Sequence, residues 1–151
     1  MDDEDARVVG IYLEGDDKIT TLVMSGGMRI SSFKIADAEM TIKGATSIGN
    51  ALCKNSTLTH LDLRRAFGFS SHGSIAEIAR SLFGNSALLT LLISDNVVCT
   101  HDIKEVANLI RNNFHLKFLE MSAMGIGSED IGYIADAIEE NESLEKLDLE
   151  G

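Results

Sequence analysis

The sequence predicts an α/β solenoid. Right-handed strand–helix units would place their strands in one parallel sheet and their helices on the opposite side. Three observations carry this reading. An apolar pattern, L-x-x-L-x-L, recurs at Leu58-Leu61-Leu63, Leu88-Leu91-Ile93, Leu116-Leu119-Met121 and Leu144-Leu147-Leu149, its first positions 30, 28 and 28 residues apart. A second apolar set recurs at fixed distances upstream of each copy. An asparagine (Asn55, Asn85, Asn113 or Asn141) stands three residues before each copy. Self-similarity at this period marks a repeat array, in which a unit that cannot bury its own apolar face buries it against a neighbour.

Each part of a unit has a physical reason. Leucines two apart alternate along a strand and point one way. Upstream, one face collects Ala45-Ile48-Gly49-Leu52, Ile75-Ile78-Ala79-Leu82, Ile103-Val106-Ala107-Ile110 and Ile131-Ile134-Ala135-Ile138. Those spacings of three and four describe one side of a helix. The small third residue lets the helix approach its neighbour closely. The asparagine follows the last apolar residue of the helix. Asparagine tolerates the left-handed conformation that ends helices, so it reads as a cap.

The first unit is longer. Ile19, Leu22 and Met24 resemble a first strand, but Leu58 follows Ile19 by 39 residues. The surplus falls within residues 25–44, where Gly26-Gly27 supports a turn and "MRISSFKI" can fold back over the core. It reads as an ordered loop, with a binding loop as the alternative. Upstream, Val9 and Leu13 keep the helical spacing, so residues 1–18 are expected to form a capping helix. The whole chain, 1–151, reads as one domain with repeats starting near 19, 58, 88, 116 and 144.

The array closes on "LEKLDLEG", a strand with no helix after it. Three explanations stand open. The chain is cut from a longer array; a second copy or a partner covers the edge, giving a homodimer in the first case; or the charged face of Glu145, Lys146, Asp148 and Glu150 protects it.

Bulk properties narrow the function. The formal net charge is −11, which repels phosphate backbones and anionic membranes and makes a basic protein partner electrostatically easier. No apolar run approaches the ~18 residues of a membrane span. "MDDEDA" lacks the features of a secretory signal. Cys53 and Cys99 have neither C-x-x-C nor zinc-like spacing, and a reducing cytoplasm fits them.

These motifs resemble the leucine-rich repeat family, in the class with repeats near 28 residues typified by ribonuclease inhibitor. One copy matches the family signature in full: Leu88, Leu91, Ile93, Asn96 and Val98. At the Asn96 position other units carry Gly27, Ala66 and Met124. The resemblance implies a sheet lining a concave face, and an asparagine there that hydrogen-bonds the loop backbone. It implies a non-enzymatic protein-interaction module. The class also includes the Ran GTPase-activating protein and tropomodulin, so the alternatives are a regulator of a small GTPase, an actin-associated capping module, or a structural segment of a larger repeat protein.

On the implied concave face, one row is Thr21, His60, Thr90, Phe118 and Lys146. A second is Val23, Asp62, Leu92, Glu120 and Asp148. A third includes Arg64. Phe118 and Leu92 form an apolar pair rimmed by carboxylates, which suits a protein contact. The expected partner-binding residues are His60, Asp62, Arg64, Thr90, Leu92, Phe118, Glu120, Lys146 and Asp148.

No catalytic, cofactor or metal site is expected. "GFSSHG" fails the G-x-S-x-G elbow, and "GATSIG" lacks the P-loop lysine. His60, His72, His101 and His115 are not spaced as ligands with another His or Cys. "NST" at Asn55 coincides with a helix end. Arg64-Arg65 is the one pair a GTPase-activating role could use.

Overall fold

The computed structural model describes residues 21–23, 40–56 and 58–150. Expectations for residues 1–18, for Ile19 and Met24, and for most of the 25–44 insertion lie outside them. The elements are β1 (Thr21–Val23), α1 (Ile42–Leu52), β2 (His60–Asp62), α2 (Ser74–Ser81), β3 (Thr90–Leu92), α3 (Thr100–Asn112), β4 (Phe118–Glu120), α4 (Ser128–Glu140) and β5 (Lys146–Asp148). None of the described helices is long and apolar enough to cross a membrane.

The strands form one parallel sheet in the order β1-β2-β3-β4-β5. Register follows the repeat: Leu22, Leu61, Leu91, Leu119 and Leu147 stand side by side across it. Leu61, Leu91 and Leu119 are buried, together with the helix residues Ile48, Ile78, Val106 and Ile134. Helices pack in sequence order, α1 on α2, α2 on α3 and α3 on α4. The small position works as expected at Gly49, where an added Cβ would lie 3.1 Å from Ser81 Cβ on α2. The tail of the insertion also joins the core. Met40 is fully buried, bridges Phe67 in parallel, and its carbonyl accepts from the Ser71 hydroxyl at 2.5 Å.

The asparagines do more than end helices, and not in the expected conformation. Asn113 and Asn141 close α3 and α4 with extended backbones, at φ −99 and −97. Their left-handed reading is therefore overturned. What selects asparagine is its amide, which reaches two units at once. Asn85 Oδ1 accepts from the Ala87 and Leu88 amides, while its Nδ2 donates to the carbonyls of Leu52 and Asn55. Asn113 repeats this one unit on, accepting from His115 and Leu116 and donating to Leu82 and Asn85. Only an amide supplies both donors and acceptor in one buried group.

Beyond β2, β3 and β4 the chain takes a left-handed step, at Arg65 (φ 52), Asp95 (φ 59) and Ala123 (φ 52). These occupy equivalent repeat positions, and none is glycine. Their amides donate to the carbonyls of Ser94, Ser122 and Glu150 in the next unit. The step thus extends the ladder past the strand. It strains a non-glycine backbone by ~1–2 kcal/mol. Ala123 is exposed, so Ala123→Gly is expected to raise stability by about 0.5–1 kcal/mol, the relieved strain outweighing glycine's added unfolded-state entropy. Urea unfolding of the two proteins checks it.

Asn96 ties the loops as the resemblance implied. It is buried, donates to the Leu63 and Ile93 carbonyls, and accepts from the Phe67 amide.

Candidate functional site

The sheet face turned away from the helices carries the described residues singled out above, and the ladder register sets them in rows. His60, Thr90, Phe118 and Lys146 face across neighbouring strands, as do Asp62, Leu92, Glu120 and Asp148. His60 and Lys146 are exposed, Arg64, Leu92, Phe118, Glu120 and Asp148 are half-buried, and Asp62 and Thr90 are buried.

Asp62 is buried because Arg64 covers it. Its carboxylate accepts from the Arg64 amide at 3.0 Å, from Nε at 3.0 Å and from a terminal guanidinium nitrogen at 2.6 Å. This bidentate bond holds the Arg64 proton more tightly than usual, with Glu120, 3.8 Å from the guanidinium, adding attraction. The network continues across the sheet. Ser94 Oγ donates to Glu120 at 2.8 Å and accepts from the Ser122 amide at 2.9 Å. Ser122 Oγ donates to Asp148 at 2.8 Å.

That serine bond, then the Glu150 amide and the Lys146 charge, hold the Asp148 carboxyl below its ordinary range. A depressed carboxylate stabilises the fold above the ordinary range and loses that contribution as pH falls through the lowered value. Ser122→Ala is expected to move Asp148 up toward ordinary carboxylates, read from its carboxyl carbon shift against pH.

The sequence did not foretell how the aromatic is dressed. Lys146 Nζ lies 4.5 Å from the centre of the Phe118 ring. Leu92 lies one strand away, opposite Glu120 and diagonal to Phe118. The face is thus an apolar centre beneath a cation, framed by carboxylates already tied to Ser or Arg. Among the described residues it offers contact area and charge.

One other cluster of reactive side chains forms among the described residues. His72, from the loop before α2, and Cys99 and Asp102, from the start of α3, bring ligand atoms within 4.8 Å of one another. The buried Asp102 carboxylate, however, is in use. Oδ1 accepts from the Ala76 amide, and Oδ2 accepts from the amides of Gly73 and Cys99 and from the Cys99 thiol. Asp102 thereby serves the starts of both α2 and α3, which Gly73 permits by turning at φ +89. Asp102 with Cys99 reads as a structural clasp, and the exposed His72 stands beside it.

No protein-family model matches the chain, and no curated protein matches it in sequence. Solved structures do match. Actin-binding site 2 of leiomodin-1 superposes with a TM-score of 0.76 at 17% identity, over 98% of this chain and 79% of that one. The tropomodulin C-terminal domain of Caenorhabditis elegans superposes with a TM-score of 0.71 at 14% identity, over 97% of this chain and 83% of that one. Identity this low speaks to fold alone: the chain shares with these domains a mixed α/β, leucine-rich-repeat-like architecture.

Proposed function

We propose that this chain is a non-enzymatic protein-interaction module that binds a protein partner through the sheet face bearing Phe118. In this reading the chain is one repeat domain of the ribonuclease-inhibitor-like class, and that face is the concave side of its arc. The observation that carries the proposal is the half-buried pair Phe118 and Leu92 inside a frame of carboxylates. Apolar centres with polar rims are where partner affinity concentrates. The proposed contact residues are His60, Asp62, Arg64, Thr90, Leu92, Phe118, Glu120, Lys146 and Asp148. Asp62 and Arg64 act there as a neutralised pair rather than as free charges.

The net charge of −11 supports a partner with basic character over nucleic acid or an anionic membrane. Two free cysteines support a cytoplasmic setting. Actin is the first partner to test, because one structural neighbour is named as an actin-binding site. The GTPase-regulator reading has less support, since an arginine finger must be free to enter a partner's site and Arg64 is held by Asp62.

The test is co-sedimentation with actin filaments together with a monomer-binding assay. Phe118→Ala with Glu120→Lys is expected to weaken binding about tenfold or more while circular dichroism stays unchanged. Unchanged affinity in the double variant would move the site off this face. No binding to either form of actin by the wild type would remove actin as the partner.

A further inference from the structure

We propose that His72, Cys99 and Asp102 form a binding site for one zinc ion at the junction of α2 and α3. The inference is independent of the sheet-face reading.

Three kinds of donor converge there. An imidazole, a thiol and a carboxylate bring their ligand atoms within 4.8 Å of one another. Nitrogen, sulfur and one oxygen suit zinc, whereas magnesium and calcium take oxygen ligands. Zinc bonds of ~2.0–2.3 Å at tetrahedral angles set ligand atoms about 3.4–3.6 Å apart. Cys99 Sγ and Asp102 Oδ2 stand 3.1 Å apart and need only a small spread. His72 is exposed, so rotation of its side chain closes the remaining distance. Three protein ligands leave the fourth position to water.

The backbone holds the cradle in place. Gly73, next to His72, donates its amide to Asp102 Oδ2 at 3.1 Å, and the Cys99 amide donates to the same oxygen at 3.0 Å. The Ala76 amide fixes Oδ1 at 2.9 Å. On the other side of His72, the Ser71 hydroxyl donates to the Met40 carbonyl. Asp102 therefore positions the chain that carries both other ligands, as supporting groups do in built metal sites.

Binding exchanges one cation for another. The thiol donates its proton to Oδ2, and zinc takes that proton's place. The S–H bond breaks, a Zn–S bond forms, the proton passes to solvent, and no oxidation state changes. Oδ2 loses one partner and gains one. The starts of α2 and α3 meet here, which disfavours a bare cation. Thiolate and carboxylate together neutralise the ion, so the loaded site carries no net charge.

The repeat supplies an internal comparison. One unit on, the positions aligned with His72, Cys99 and Asp102 hold Thr100, Gly127 and Asp130. One unit back they hold Ile42, Ser71 and Ser74. The carboxylate recurs once, but imidazole and thiol join it at this junction and at neither neighbour.

The test is calorimetric titration of the full chain with zinc chloride in the presence of a phosphine reductant. One ion per chain is expected. His72→Ala and Cys99→Ser are each expected to weaken binding at least about tenfold, with circular dichroism unchanged. Cys53→Ser should bind as the wild type does. Cobalt(II) reports the ligands directly: a thiolate-to-cobalt charge-transfer band is expected, kept in Cys53→Ser and abolished in Cys99→Ser. Because His72 is exposed, His72→Ala decides the matter if Cys99→Ser fails to fold. The inference is overturned by absence of saturable zinc binding, by affinity that His72→Ala leaves unchanged, or by a charge-transfer band that survives Cys99→Ser or disappears in Cys53→Ser. Cobalt binding without such a band also overturns it, since the acidic surface alone would then hold the ion.

Discussion

Replacing Asn113 with alanine is expected to lower the unfolding free energy by about 4 kcal/mol. The side chain is buried and makes four hydrogen bonds, two to amides of its own unit and two to carbonyls of the unit before. Alanine leaves those partners in an interior that water reaches poorly. Each orphaned group costs ~1–3 kcal/mol, and partial relaxation recovers some of it. Asn113→Asp separates the two halves of the effect. A carboxylate still accepts from His115 and Leu116, but it cannot donate to Leu82 and Asn85 and sets a negative charge beside their carbonyls. It is therefore expected to be at least as destabilising at neutral pH and to recover on acidification, when the protonated acid regains one donor. Urea titration reads both: with a slope of about 2 kcal/mol/M, the alanine midpoint falls by roughly 2 M. A shift under about 0.5 M would mean that the ladder carries little of the fold's stability.

Asp102→Ala is expected to cost about 3–4 kcal/mol. The residue is 1% exposed, and its two oxygens accept from three amides at the starts of two successive helices. Losing an ordinary helix cap costs about 1 kcal/mol. Here one carboxylate caps twice, and its bonds are charge-assisted. Asp102→Asn keeps one acceptor and is expected to lose about half as much. The aligned residue of α4 gives the control. Asp130 has one oxygen without a partner, and the other accepts only a long 3.4 Å bond from Thr100. Asp130→Ala should therefore change stability by no more than about 1 kcal/mol. Equal losses at Asp102 and Asp130 would show that the cross-unit bonds to Gly73 and Ala76 contribute nothing.

The contrast between those two aspartates also marks where sequence reading stops. Strand positions, register and the buried faces of α1, α2 and α3 were legible because hydrophobic periodicity encodes them directly; on α4 the same spacing leaves Ile131, Ala135 and Ile138 exposed. Leu61, Leu91, Leu119 and Leu147 fall in line from a count of residues. Features that depend on backbone conformation were not legible. Arg65, Asp95 and Ala123 turn left-handed with no glycine to announce it, and the reach of Asp102 depends on the turn at Gly73. The asparagines were visible as a column, but periodicity carries no information on where an amide points, so they were read as local caps when they act between units. On the sheet face the rows were predictable from the pattern. The stacking of Lys146 on Phe118 and the Ser94–Glu120 bond were not, because both join residues from different units whose side-chain rotamers no spacing rule fixes.

The asparagine column has a consequence for how disturbance spreads. The amides of Asn85, Asn113 and Asn141 each clasp their own unit and the one before. A defect at a single rung therefore loosens two adjacent units and fades with distance, as in a zipper whose teeth touch only the next pair. The chain can accept change at one end of the row while the other keeps its shape.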